Sequence, residues 1–126
     1  VSREVIRTDD APAAIGTYSQ AIRAGGLVFA SGQIGLDPAR GELVSGGIDA
    51  ETRQVFANLR AVARAAGSGL GDAAKLTVYL TDLGDYGRVN ELMHEFFEEP
   101  FPARAAVGVS ALPRGARVEV EAILTP

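Results

Sequence analysis

Residues 117–124 alternate with a period of two. Val118, Val120, Ala122 and Leu124 fall on one face of a strand, and Arg117, Glu119 and Glu121 on the other. Residues 103–109 alternate as well, with Ala103, Ala105, Val107 and Val109 set against Arg104, Ala106 and Gly108. Between the two runs, Leu112-Pro113-Arg114-Gly115 reads as a turn, with proline presetting φ and glycine free to take a positive φ. The pattern predicts a final hairpin with an apolar face for helices and a charged face carrying both Arg104 and Glu119.

The same reading extends upstream. Arg3–Arg7 predicts a short first strand, and residues 9–16 a loop. Thr17–Ala24 and Leu27–Gln33 are apolar-rich runs joined by Gly25-Gly26, a two-residue hairpin signal. That register pairs Ala24 with Leu27, Ile22 with Phe29, Gln20 with Ser31 and Tyr18 with Gln33. It puts Tyr18, Gln20, Phe29, Ser31 and Gln33 on one face, with the Tyr18 and Ser31 hydroxyls as neighbours. Residues 36–47 form a turn-rich loop.

Val55, Phe56, Leu59, Val62, Ala63 and Ala66 keep a helical spacing, so a helix is expected from an N-cap at Asp49 to about Ala66. Glu51, Arg53, Asn58, Arg60 and Arg64 are assigned mostly to its wet side. Ala73–Thr81 predicts a strand with Leu76, Val78 and Leu80 inward and Lys75, Thr77 and Tyr79 outward. A second helix, capped by Asp82 or Asp85 and running to Phe97, buries Leu83, Tyr86, Val89, Leu92, Met93 and Phe96. The order is βββαβαββ, a single α/β domain of the α+β kind over residues 1–126, with one mixed sheet and both helices on one face. The other face mixes Tyr18, Phe29, Ser31, Thr77, Tyr79, Arg104, Ala106, Gly108 and Glu119. This is the composition of a surface covered by another subunit.

Composition narrows the chemistry. A chain of 126 residues with 47% hydrophobic content can bury about two thirds of its unfolded surface. It has no cysteine, so disulfides, thiolate metal sites and a cysteine nucleophile are excluded together, which fits a cytoplasmic protein. No signal peptide is expected, and no apolar run approaches the ~20 residues that span a bilayer. The net charge of −4, without a basic block, argues against nucleic acid as a partner. His94 is the only histidine, so no metal site is expected, and a Ser-His-acid triad would have to use this residue, whose plainer reading is a surface or boundary position on the second helix. Ser31-Gly32-Gln33-Ile34-Gly35 follows a strand but lacks the ending of a phosphate loop. Its glycines still let bare backbone N–H groups approach a small anion.

Arg104 and Glu119 remain. Arginine grips a carboxylate through two parallel hydrogen bonds, and glutamate can orient and partly deprotonate a water. On periodicity alone, the plainer reading of two polar residues on a solvent-facing strand carries more weight. In a simple hairpin the two side chains are offset by roughly 10 Å at a rise of ~3.3 Å per residue. A site using both would then draw them from different subunits. Glu121 shares the face of Glu119 and is the rival carboxylate, with an interface or solvent role as its plainer reading.

At this point a family resemblance becomes visible. PARAAVGVSALPRGARVEVEA resembles the C-terminal signature of the Rid (YjgF-like) family, the reactive intermediate deaminases. AIGTYSQAIRAGGLVFASGQIGLDP resembles the family's N-terminal half, and QVFANLRAVARAAGSGLGDAAKLTVYLTDLGDYGRVNELMHEFF its helix-strand-helix middle. The resemblance implies a chorismate-mutase-like fold, a homotrimer with sites between subunits, and no cofactor. It also implies hydrolysis of the 2-iminobutanoate and 2-aminoacrylate type of product that pyridoxal-phosphate dehydratases release, giving 2-oxo acids and ammonia. Arg104 matches the arginine that binds the substrate carboxylate, and Glu119 the glutamate associated with the hydrolytic water. Tyr18, Ser31 and Asn90 match other pocket positions, and Gly32 the backbone lining the pocket. Thr17 stands where a proline often precedes the tyrosine, and Ala106 where the archetype has a cysteine, which bears on the side chain the pocket fits. A small-carboxylate-binding or regulatory module, a hydrolase of a different imine and a ribonuclease or translation inhibitor remain as alternatives.

Overall fold

In a computed structural model describing residues 2–126, the predicted order is found: β1 (Glu4–Ile6), β2 (Ala21–Ala24), β3 (Leu27–Gln33), α1 (Gly47–Ala65), β4 (Ala73–Leu80), α2 (Tyr86–Met93), β5 (Ala103–Gly108) and β6 (Val118–Leu124). The strands form one mixed sheet in the order β1-β2-β3-β6-β4-β5. Both helices cover one face. Val55, Phe56, Leu59 and Val62 of α1 and Val89 and Met93 of α2 join Val28, Leu76, Val78, Leu80, Val118, Val120 and Leu124 in one core. Phe56 is central to it, with the Phe96 and Phe97 rings each 5.4 Å from its own. The hairpin at Gly25-Gly26 has the predicted register, Ala24 opposite Leu27 and Ile22 opposite Phe29. Both glycines have positive φ, as the tight turn requires.

The last two strands are not a hairpin. β5 lies parallel to β4, with Leu76 opposite Arg104 and Val78 opposite Ala106, and β6 runs antiparallel between β3 and β4. A parallel neighbour requires a crossover, and α2 supplies it. The register also reverses the face assigned to β5. Arg104 and Ala106 share the helix-covered face with Leu76 and Val78, and a Cβ on Gly108 would meet the Leu83 side chain at 3.0 Å. Glu119, opposite Tyr79, and Glu121, opposite Thr77, lie on the other face. Arg104 and Glu119 therefore occupy opposite faces of the sheet.

Smaller departures have local causes. β2 begins at Ala21, because the Gln20 side chain turns inward to bond Thr8, Ala11 and Pro12. Gln33 is buried rather than beside Ser31. Ala30 faces Ala122 and Gln33 faces Val120, so three steps of β3 span two of β6, a bulge that switches faces. Helix α1 starts at Gly47, after Gly46 with φ of 119°, so Asp49 is a first-turn residue and not the cap. Glu51 and Asn58 are buried, not wet: Glu51 accepts the Arg117 N–H at 2.8 Å, and Asn58 donates to the carbonyls of Ile34 and Leu36. Helix α2 ends at Met93, and its stripe is narrower than predicted. Val89, Leu92 and Met93 are buried, while Leu83 and Tyr86 are exposed.

Candidate active site

The predicted site residues separate into two groups. The first is at the sheet edge. Arg104 on β5 reaches α2, where Nη1 donates to Asn90 Oδ1 at 2.7 Å and contacts Met93 Sδ at 3.5 Å. Nη2 donates to the Tyr86 hydroxyl, and the guanidinium lies 5.2 Å from the Tyr86 ring centroid. A guanidinium has five N–H donors in a rigid fork. With these contacts made, Nε–H and one Nη2–H have no partner among the described residues, and a carboxylate is the kind of acceptor a guanidinium suits. The helix thus holds the arginine without filling it. Beside it opens a cavity of about 300 Å³ walled by Met93, His94, Phe97, Phe101 and Pro102.

Tyr86 and Met93 were not among the predicted site residues. Tyr86, Asn90 and Met93 are spaced i, i+4, i+7, so they form one stripe of α2. That spacing was visible in the sequence. What it could not show was that β5 would run beside this stripe.

The second group surrounds Glu119. A separate cavity of about 370 Å³ is lined by Tyr18, Ser31, Gly32, Arg114, Glu119 and Glu121, among others. The Ser31 hydroxyl donates to the Ser19 carbonyl at 2.6 Å, and the Tyr18 hydroxyl accepts the Ile15 N–H at 3.4 Å. Ser31 and Gly32 lie in the β3 bulge. Gly32 is a steric requirement here, since a Cβ at that position would sit 2.2 Å from Glu119 Oε2. Arg114 borders the cavity in the left-handed region, φ 61°, with Nη1 bonded to the Gly41 carbonyl at 3.0 Å.

Glu119 is half-buried, and among the described residues it has no hydrogen-bond or ion-pair partner. Burial, and behind it the charge of Glu121, push its carboxyl above the ordinary range. Tyr79, opposite Glu119 on β4, donates its hydroxyl to Glu121 Oε1 at 2.5 Å. That hydrogen bond, ahead of burial and the two carboxylate charges, raises the Tyr79 phenol. Within one chain, Arg104 with Asn90 and Glu119 with Tyr18, Ser31 and Gly32 do not meet. Among the described residues no cluster of three or more His, Asp or Glu side chains is arranged to hold a metal ion. No helix among them is long and apolar enough to cross a membrane.

The βββαβαββ order, with one mixed sheet and both helices on one face, defines a class: α+β proteins of chorismate-mutase-like architecture. Comparison with known proteins gives the family. Residues 8–125 match the family model described as Endoribonuclease L-PSP. The 2-iminobutanoate/2-iminopropanoate deaminase of Mus musculus is 50% identical over 123 residues, covering 98% of this chain and 91% of the mouse protein. The crystal structure of RidA from an Antarctic Psychrobacter superposes with a TM-score of 0.94 at 50% identity, covering 98% of this chain and 99% of that one. Escherichia coli TdcF with bound serine superposes at 0.90 with 37% identity and 98% coverage of each chain. The chain belongs to the Rid/YjgF/RutC family.

Proposed function

We propose that this protein hydrolyses 2-imino acids and their enamine tautomers to 2-oxo acids and ammonia, at a site made from Arg104 of one subunit and Glu119 of another. The observation that carries the reading is the placement of these two residues. The arginine is braced by α2 with donors to spare and the glutamate is half-buried without a partner, yet they lie on opposite faces of one sheet. A homotrimer burying the open sheet face would bring the two kinds of half-site into one cleft. Phe29 and Val107 on that face are 43% and 42% exposed in the single chain.

The substrate carboxylate binds the Arg104 fork, with Asn90 and Tyr86 holding the guanidinium in place. Tyr18, Ser31 and the Gly32 backbone line the approach to Glu119. Water adds to the carbon of the protonated C=N group and passes a proton to Glu119, giving a neutral carbinolamine. Glu119 returns that proton to nitrogen. Collapse then breaks the C–N bond and forms C=O, the hydroxyl proton passing back to Glu119 and on to solvent as ammonia leaves. Positioning and local electrostatics suffice for so labile a bond, so no cofactor enters the scheme. Substrates of this kind arise where pyridoxal-phosphate dehydratases act on serine and threonine, so the same reading has the protein work beside them in the cytoplasm. The serine bound by TdcF and the deaminase activity named for the mouse protein support the same substrate size and class. A net charge of −4 gives a ribonuclease reading no electrostatic footing.

The test couples the protein to a threonine dehydratase with semicarbazide as trap. Wild type is expected to speed 2-oxobutanoate formation over the uncatalysed background, and Arg104→Met to lose that acceleration. Equal rates for the two sink the mechanism.

A further inference from the structure

Glu121 and Tyr79 have no part in the scheme above, yet they are arranged around its central residue. Glu121 lies two residues along the same strand face as Glu119, about 7 Å away at the usual strand rise, and borders the same cavity. Its carboxylate is not left to rotate freely, because the Tyr79 hydroxyl holds Oε1 at 2.5 Å. Tyr79 is itself the cross-strand partner of Glu119, so its side chain spans diagonally from one glutamate's position to the other's carboxylate. The other titratable or charged groups near Glu119 are Tyr18, from the segment before β2, Arg114, from the turn before β6, and Arg117, two residues before Glu119, whose Nε lies 3.9 Å from Glu51 Oε2. Strand β3 offers only Ser31 and Gly32 there, which do not titrate.

We propose that Glu121, pinned by Tyr79, is a positioning residue that makes Glu119 a reversible proton carrier in place of a permanently ionised base. The inference rests on the deaminase reading for its purpose, though not for its geometry. Imine hydrolysis needs a proton taken from water and then given to nitrogen. A carboxylate serves both steps best when its affinity for the proton is raised toward the working pH. A second negative charge held on the same face does this, and the tyrosine keeps that charge in place. The upward push on Glu119 from burial and from Glu121 agrees with the geometry.

The test is a pH titration of the glutamate carboxyl ¹³C signals in the intact protein, for wild type, Glu121→Gln and Tyr79→Phe. Glu119→Gln identifies the Glu119 signal. Glu121→Gln keeps the shape and still offers Tyr79 an oxygen acceptor, so only the charge changes. The Glu119 midpoint should fall in Glu121→Gln, and fall by less in Tyr79→Phe, where Glu121 is present but untethered. In the coupled assay the acid limb of kcat/KM should move to lower pH in the same order. An unchanged Glu119 midpoint in Glu121→Gln overturns the proposal, and if that variant folds poorly, an unchanged midpoint in Tyr79→Phe does so. If the midpoint falls while wild type and Glu119→Gln hydrolyse imines equally fast, the coupling stands and the deaminase reading fails.

Discussion

The separation of Arg104 from Glu119 can be tested by mixing two inactive proteins. Arg104→Met keeps the aliphatic stem against α2 but removes the carboxylate grip, and Glu119→Gln removes the proton acceptor. Losing one side of a charge-assisted contact costs roughly 2–5 kcal/mol, so each variant alone should fall by about thirty-fold or more. The two are then unfolded together, refolded at equal ratio, and assayed with the threonine dehydratase couple. If each site takes Arg104 from one chain and Glu119 from another, the two intact residues meet independently, each with a chance of about one half. About one quarter of the wild-type rate should return, whichever neighbour supplies which residue. If a single chain supplied both, no site in the mixture could be whole, and the rate would stay at the parental level. The gap between a quarter and a thirtieth is wide enough for an ordinary kinetic assay. A mixture no more active than its parents, with mixed oligomers shown by two affinity tags, would refute the shared site.

Two further substitutions probe the half-sites separately. Tyr86→Phe keeps the ring over Arg104 but deletes the hydroxyl that holds Nη2. A hydrogen bond of about 1 kcal/mol at this exposed position should raise KM roughly three- to tenfold with kcat little changed. An unaltered KM would mean that the hydroxyl does not hold the arginine for substrate. Gly32→Ala places a Cβ 2.2 Å from Glu119 Oε2, so the carboxylate must swing away while the flexible side chain spares the fold. On the order of 10–100-fold should be lost in kcat/KM, with Tm within a few degrees of wild type. Full activity in that variant would show that Glu119 does not work from its seat against the bulge.

Much of the fold was legible because its signals are local. The order of elements, the Gly25-Gly26 register, the core faces of β4 and β6 and the apolar stripe of α1 follow from periods of two and 3.6, which need only neighbouring residues. The candidate site residues came from the family resemblance, because periodicity alone left Arg104 and Glu119 as two polar residues on strands. The face of β5 was not legible. In Ala103–Gly108 alanines fall on both sides, so hydrophobicity does not choose between them, and the arginine suggested the wrong one. The buried polar groups of α1 were missed for a related reason. Glu51 and Asn58 go inside because backbone groups at Arg117, Ile34 and Leu36, far away in sequence, receive them there.

By itself, then, the sequence determined the elements and the Glu119 face of β6. Tertiary structure decided which strand lies beside β5. With that choice it set where Arg104 points, since a parallel pairing through α2 carries the side chain to Tyr86, Asn90 and Met93 and away from Glu119. Strand alternation is relative: it says which residues share a face, while only packing against distant elements says which face is covered. The same holds for the bulge at Ser31 and Gly32, where a one-residue mismatch with β6 turns Gln33 inward and leaves bare backbone against the Glu119 carboxylate.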